Sequence, residues 1–304
     1  MTITASIIVS AILLGLEYSL LAVGVYITFR ILDVPDLTVD GSFVLGMVVS
    51  GVVSVAGMPE LGLVLGFIAG GLAGAVTGFL ITYAKINPLL AGIITMTGLY
   101  TINITILGGP NLSLMDCPKV FSDFQELMAL AGIEVGSTVA KYIVALVLVL
   151  GITALLAVFF HTEIGLSIRA CGDNEAMVRA SSIGTTSRKI GTLALANALV
   201  GLSGALLAQY QGYADISSGS GMIVIGLASV IIGELFGGRK NVTAGLFGAI
   251  GGSVIYRIIL AFVLSGTTSA NAVKLVSALI VGIFLSVPAL KTWISERAER
   301  RQAS

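Results

Sequence analysis

The chain alternates long apolar runs with short polar ones, and the lengths of the runs set the elements it predicts. The first run, 6–29, has about the 20 residues that cross hydrocarbon as a helix, and Arg30 ends it. A second, 42–56, is short for a full crossing, which suits a discontinuous helix. After the turn at Gly57, Pro59 and Glu60 comes a run carrying Gly62, Gly66, Gly70, Gly74 and Gly78. Residues four apart are offset by about 40° on a helix, so these glycines form one smooth stripe along ~24 Å, made for close approach to a neighbouring backbone. Further spans are expected at 89–107, 140–160, 190–211, 222–236, 242–264 and 272–287, with Ala194, Ala198, Gly201, Gly204 and Ala208 preparing a second tight interface. That makes about nine transmembrane helices, within a range of eight to ten, in an all-α polytopic membrane protein.

Between the first two spans, 31–41 holds Pro35 with Asp33, Asp36 and Asp40. Carboxylates and a broken hydrogen-bond ladder are costly in lipid, so this is either a re-entrant break lining a cavity or a plain turn at the surface. A related pattern returns about 180 residues later: Asp36 and Asp40 before a short span, then a glycine-rich span ending at Gly70 and Gly71, against Asp215 with Ser217 and Ser218, a short span, and Gly251 and Gly252. The two copies, about 31–107 and 212–290, start on opposite sides of the membrane by charge, which makes them inverted repeats within a single transmembrane domain covering 1–304. Asp36, Asp40 and Asp215, at related ends of the repeats, are the candidates for a transport pathway.

The long polar stretches are 108–139 and 161–189. The first mixes Asp116, Asp123, Glu126 and Glu134 with Phe121, Phe124 and Leu127, and is expected to form a helical cover on the outer face. The second carries Arg169, Arg179, Arg188 and Lys189, and the positive-inside bias assigns it to the cytoplasm. Within it, Asp173 or Asn174 can cap a short helix over 175–180 that stops near Gly184. With about twelve of the 16 Lys and Arg on the inner side, the N-terminus is placed outside and the C-terminus, with its basic tail and Trp293, in the cytoplasm.

Composition agrees with the pattern: 56% of residues are hydrophobic and 11% charged, where a soluble domain has about a quarter charged. Net charge is zero and no basic tract exists, so no nucleic-acid partner is expected. Cys117 and Cys171 fall on opposite sides of the membrane and cannot pair. His161 stands without a partner at metal-ligand spacing, so neither a metal site nor an intramembrane enzyme is expected. Residues 233–238 brush against a phosphate-loop pattern, but Gly238 is followed by Arg239, Lys240 and Asn241 where Gly-Lys-Ser/Thr is needed, so nucleotide belongs to another chain.

The run 165–184, with Arg169, Gly172, Asp173-Asn174-Glu175, Ala176, Arg179, Ser182 and Ile183-Gly184, resembles the coupling segment of ABC-transporter permeases of the branched-chain amino-acid and ribose type. The segment 18–24, followed by the break at 31–41, is similar to the same family and favours a break near the pathway. The resemblance implies that Gly172, Asp173, Asn174, Glu175, Ala176, Arg179, Ser182 and Gly184 contact an ATP-binding cassette subunit, which would hold ATP and Mg; no cofactor is expected on this chain. It further implies a homodimer in the lipid of a bacterial plasma membrane, a binding lipoprotein outside, and import of an amino acid, aromatic or branched-chain, with a sugar or nucleoside as the alternative. The rival class, an ion-coupled secondary transporter or channel, would need an intramembrane ionisable group such as Glu17, Glu234 or Arg257.

Overall fold

The computed structural model describes residues 5–237, 241–265, 278–279 and 281–282. Its first apolar stretch forms two helices in line, α1 (Ala5–Glu17) and α2 (Ser19–Tyr26), prolonged by a π-helical turn at Ile27–Ile31. A non-helical stretch of 32–37 leads to α3 (Thr38–Val55), then α4 (Pro59–Thr82) and α5 (Pro88–Leu107). Next come β1 (Asn111–Ser113), α6 (Val120–Leu130), α7 (Ser137–Phe159), α8 (Glu163–Asp173), α9 (Glu175–Ala180) and α10 (Thr185–Gln211). Strand β2 (Tyr213–Asp215), a 3-10 turn at Ile216–Gly219, α11 (Met222–Gly237) and α12 (Val242–Ser265) follow. Eight stretches among the described residues are long and apolar enough to span a membrane. The ninth expected span, 272–287, lies outside the described residues apart from four positions, as do the turn at 238–240 and the basic tail.

Local chemistry sets the boundaries. Pro59 and Pro88 open α4 and α5, where a missing N–H costs nothing, and the Asn87 side chain accepts from Leu89 N at 3.0 Å. Gly212, at φ 77, closes α10 in the left-handed conformation and turns the chain into β2. Two sequence expectations shift here. The 31–41 break shrinks to 32–37, because Thr38 to Gly41 already belong to α3, and the span expected at 190–211 starts at Thr185.

Helix α10 is the most enclosed span, packed between α3 and α4. The glycine stripe of α4 lies along it in antiparallel register. A Cβ on Gly66 would meet the Ala205 Cβ at 2.8 Å, on Gly70 the Gly201 Cα at 3.0 Å, on Gly74 the Asn197 Cβ at 2.7 Å, and on Gly78 the Ile190 Cα at 2.8 Å. Gly62 faces α3 instead, with its would-be Cβ 3.0 Å from Ser50 O. Such approaches replace the hydrophobic effect as the driver of helix association in lipid, where apolar side chains gain little by leaving the hydrocarbon. The α11–α12 pair crosses in the same way, a Cβ on Gly252 falling 2.7 Å from Gly233 N.

Strands β1 and β2 pair antiparallel, Asn111 with Asp215, Leu112 with Ala214 and Ser113 with Tyr213, and join the long 108–139 segment to the end of α10. This ribbon marks one end of the bundle; α8 and α9 mark the other. Helix α6 folds back over the ribbon end, burying Phe121 and donating Val120 N to Gln209 Oε1 at 3.0 Å. At the loop end, Arg30 and Glu234 form an ion pair at 2.5 Å, tying the first span to α11.

Candidate functional site

At the loop end the polar stretch 161–189 is almost wholly helical. Sequence reading found α9 but treated α8 as loop; the signal was the Thr162 hydroxyl, which accepts from Gly165 N at 3.3 Å as an N-cap. Asn174, rather than Asp173, caps α9, accepting from Met177 N at 3.1 Å. The helix ends at Ala180, and the left-handed turn beyond it falls on Ser182, at φ 60, while the nearby Gly184 is extended and precedes α10.

The eight residues named for ATPase contact divide by what they touch. Asp173, Asn174, Ala176, Arg179, Ser182 and Gly184 are exposed, together with Met177 and Ile183, which were not singled out and add an apolar face. Glu175 points inward: Lys189 Nζ and Arg179 Nη2 each reach it at 2.6 Å, clamping α9 to α10. The Lys189 ammonium, helped by Arg179, holds the Glu175 carboxyl below its usual range. Gly172 is pressed against the first span, where a Cβ would collide with Ile31 O and lie 3.2 Å from the Leu32 carbonyl carbon. It lets α8 touch the start of the break.

The break leads to a buried polar network. Asp36 is 3% exposed. Its carboxylate accepts from Thr38 N at 2.9 Å and from Asn197 Nδ2 at 2.6 Å, and Asn197 Oδ1 accepts from Ser42 Oγ at 2.6 Å. The Thr38, Thr77 and Thr95 hydroxyls continue in a line at 2.7 and 2.9 Å. Charge-assisted bonds of this kind compensate a buried carboxylate and join α3, α4, α5 and α10 around the break.

Asp40, one turn further into α3, does something different. Its carboxylate accepts from Gly221 N at 3.0 Å and Ile223 N at 2.8 Å, so a residue of the first half occupies the helix N-terminus of α11 in the second. The chain reaches that point by descending from the ribbon: Asp215 N bonds Met47 Sδ at 3.4 Å, and Gly219 packs on Asp40 and Val44. Since Asp40 lies 15 residues before the end of α3, the 216–221 segment reaches ~22 Å into the bundle. Sequence reading placed this segment outside; only the partner of Asp40 reveals its depth.

Beside this descending segment opens a cleft of about 550 Å³, lined by Asp40, Asp215, Ser217 and Ser220 on one wall and by Tyr100 and Asn103 of α5 on the other. Asp40 and Asp215 thus meet in one cavity, and Asp36 does not line it. Tyr100 and Asn103 escaped the sequence reading because α5 has no strong polar stripe and only its placement against the 216–221 segment turns them to a common space.

The remaining ionisable groups of the spans lie elsewhere. Glu17 is fully buried at the α1–α2 junction, and neither carboxylate oxygen has a hydrogen-bond partner among the described residues. The Arg257 guanidinium sits 3.6 Å from the Tyr18 ring centroid. Cys117 and Cys171 are free thiols, and the described residues contain no cluster of metal-ligating side chains.

A family model described as the permease component of the branched-chain amino acid transport system matches residues 7–287. The chain is 34% identical to a tyrosine transport system permease protein of Clostridioides difficile, over 92% of this chain and 90% of that one. It is 28% identical to a ribose import permease of Bacillus subtilis, over 70% and 63% of the two chains. A probable branched-chain amino acid transport permease of Methanocaldococcus jannaschii is 25% identical, over 75% and 72%. No solved structure matches the chain.

Proposed function

Because this chain belongs to the family of branched-chain amino acid transport permeases, we propose that it is the membrane subunit of an ABC importer that moves an amino acid inward. The observation that carries this reading is the exposed polar face of α8–α9, projecting from one end of an otherwise apolar bundle and built on a glycine contact with the broken first span. In this reading the loop end faces the cytoplasm, where a cassette ATPase holding ATP and Mg seats against Asp173, Asn174, Ala176, Arg179, Ser182 and Gly184. The ribbon end faces a binding lipoprotein outside a bacterial plasma membrane, and two copies of the chain form the pathway.

The residues supply a route for the motion. Displacement of α8 acts through Gly172 on Ile31 and Leu32. The following residues, 32–37, lie outside any helix, with Leu32 N and Val34 N bonded back to Ile27 O and Thr28 O, and the stretch from 35 to 37 can move as a hinge between the π-helical turn and α3. Asp36 conveys the shift to α10 through Asn197, and Asp40 conveys it to the α11 N-terminus. The cleft wall at 216–221 then moves relative to α5. The halves α3–α4 and α11–α12 act as inverted repeats about this junction.

The 34% identity to a tyrosine permease favours an aromatic amino acid over a sugar. Purification of the tagged chain from its native host in mild detergent tests the reading. An ATPase in near-equal amount, identified by mass spectrometry, is expected. A transport-active preparation holding this chain alone would sink the importer reading in favour of a secondary carrier using Glu17.

A further inference from the structure

The cleft between α5 and the 216–221 segment has a polarity that helix packing does not call for. Among the described residues it is lined by two carboxylates, Asp40 and Asp215, and by no Lys or Arg. The Asp40 charge is engaged by the N–H groups of the α11 N-terminus. Among the described residues Asp215 accepts from neutral donors, Ser217 N at 3.1 Å and the Ser217 and Ser218 hydroxyls at 2.6 and 3.2 Å, and makes no ion pair.

The opposite wall holds a buried acceptor without a donor. Asn103 is 1% exposed, and its Nδ2 donates to Gly41 O at 3.3 Å. A carbonyl can only accept, so this bond sets the amide orientation and leaves Oδ1 as the free group. That oxygen has no hydrogen-bond partner among the described residues. Buried polar atoms are ordinarily paired, and an orphan on a cavity wall is a place for a ligand's donor. Tyr100, three residues earlier on α5, presents an exposed ring to the same cavity.

We propose that this cleft is a subsite for the ammonium group of the transported amino acid, with Asn103 Oδ1 accepting its hydrogen bond, Asp215 supplying the attracting charge and the Tyr100 ring packing on the side chain. A cavity lined by carboxylates and, among the described residues, by no Lys or Arg repels a phosphate or a lone carboxylate, and gives a neutral polyol no electrostatic gain. An ammonium brings the positive charge that the described lining lacks and a donor for Asn103 Oδ1, with the amino acid's own carboxylate directed away from Asp215. The inference rests on the importer reading and narrows it to ligands bearing a primary amine.

The test uses the purified full chain with its co-purifying ATPase, without binding protein, and measures displacement of radiolabelled L-tyrosine. Tyramine, which keeps the ammonium and lacks the carboxylate, should displace the label; the des-amino analogue of tyrosine should not. Asn103→Leu and Asp215→Asn should each weaken binding about tenfold or more while the protein stays monodisperse. Equal displacement by the des-amino analogue, unaltered binding in both variants, absence of tyrosine binding, or displacement by D-ribose would each overturn the subsite. The ligand series on the unaltered chain decides the matter even if Asn103→Leu fails to fold. ATP-driven tyrosine uptake by vesicles holding the complete complex is scored separately. Uptake with a failed ligand series sinks the subsite alone, and no ATP-dependent uptake of any solute sinks the importer reading.

Discussion

Glu175 stands at the first position of α9, yet its carboxylate turns back toward α10, where Lys189 meets it, with Arg179 of its own helix as the second partner. Its charge therefore holds the short helix in place. A six-residue helix has no stability of its own in water, so the ion pairs and the buried Val178 must supply it. Because the folded carboxyl is held below its usual 4.5, its contribution is fully present above that pH and is lost only as pH falls through the lower folded value. Protection factors of the amides over 174–184, taken relative to the unstructured rate at each pH, should hold down to 4.5 and fall only below it, while Glu175→Gln should lower them across that range. Opening of the wild-type segment above 4.5 would contradict the clamp. The Asn174 cap was legible in the sequence because the side chain acts on its own backbone three residues on. The inward turn of Glu175 was not, since Lys189 lies 14 residues away and only the return of α10 brings it near.

At the scale of elements, α4 and α10 form the contact on which the bundle is built. The four-residue glycine spacing of α4 was readable as a smooth stripe, because helical geometry alone places those positions on one face. What the stripe would touch was open, and the structure sets four of the five glycines against α10 and Gly62 against α3. Gly74→Leu would drive a side chain into the Asn197 Cβ and the Leu193 backbone, where no flexible group can give way. Overpacking of this kind costs about 3 kcal/mol, so the variant should unfold several degrees lower in a detergent thermal-shift assay. Gly98→Leu on α5, where a Cβ meets nothing within 4 Å, serves as the control and should melt as the wild type does. Equal melting of both variants would refute the packing account. The ribbon shows the opposite case: two strands of three residues carry too little periodicity to be seen, and their pairing is decided by where α5 and α10 end.

For the whole molecule, the loop end and the cleft are joined by one continuous series of contacts, from Gly172 through Ile31 and the 32–37 break to Asp40 and the α11 N-terminus. If the proposed importer reading holds and motion passes along this series, Gly172→Val should leave the chain able to assemble with the proposed ATPase and support ATP hydrolysis, while transport per ATP falls about tenfold. Paired measurement of hydrolysis and uptake in vesicles checks this, and normal coupling in the variant would remove Gly172 from the route. The pairing of Asp40 with Gly221 and Ile223 crosses more than 180 positions in the chain, so no local pattern could announce it.

Legible from residue order were the membrane class, the order and approximate extent of the eight described spans, the glycine face of α4 and the short capped helix of the polar loop. All of these follow from interactions within a few residues or from the composition a lipid solvent demands. Tertiary structure alone decided that Asp36 is locked to Asn197 while Asp40 caps a helix of the other half, that the 216–221 segment enters the bundle, and that Asn103 and Tyr100 share a cavity with Asp215. Those relations link residues remote in the chain, and they arise only when backbones meet at glycine contacts whose partners a one-dimensional pattern does not specify.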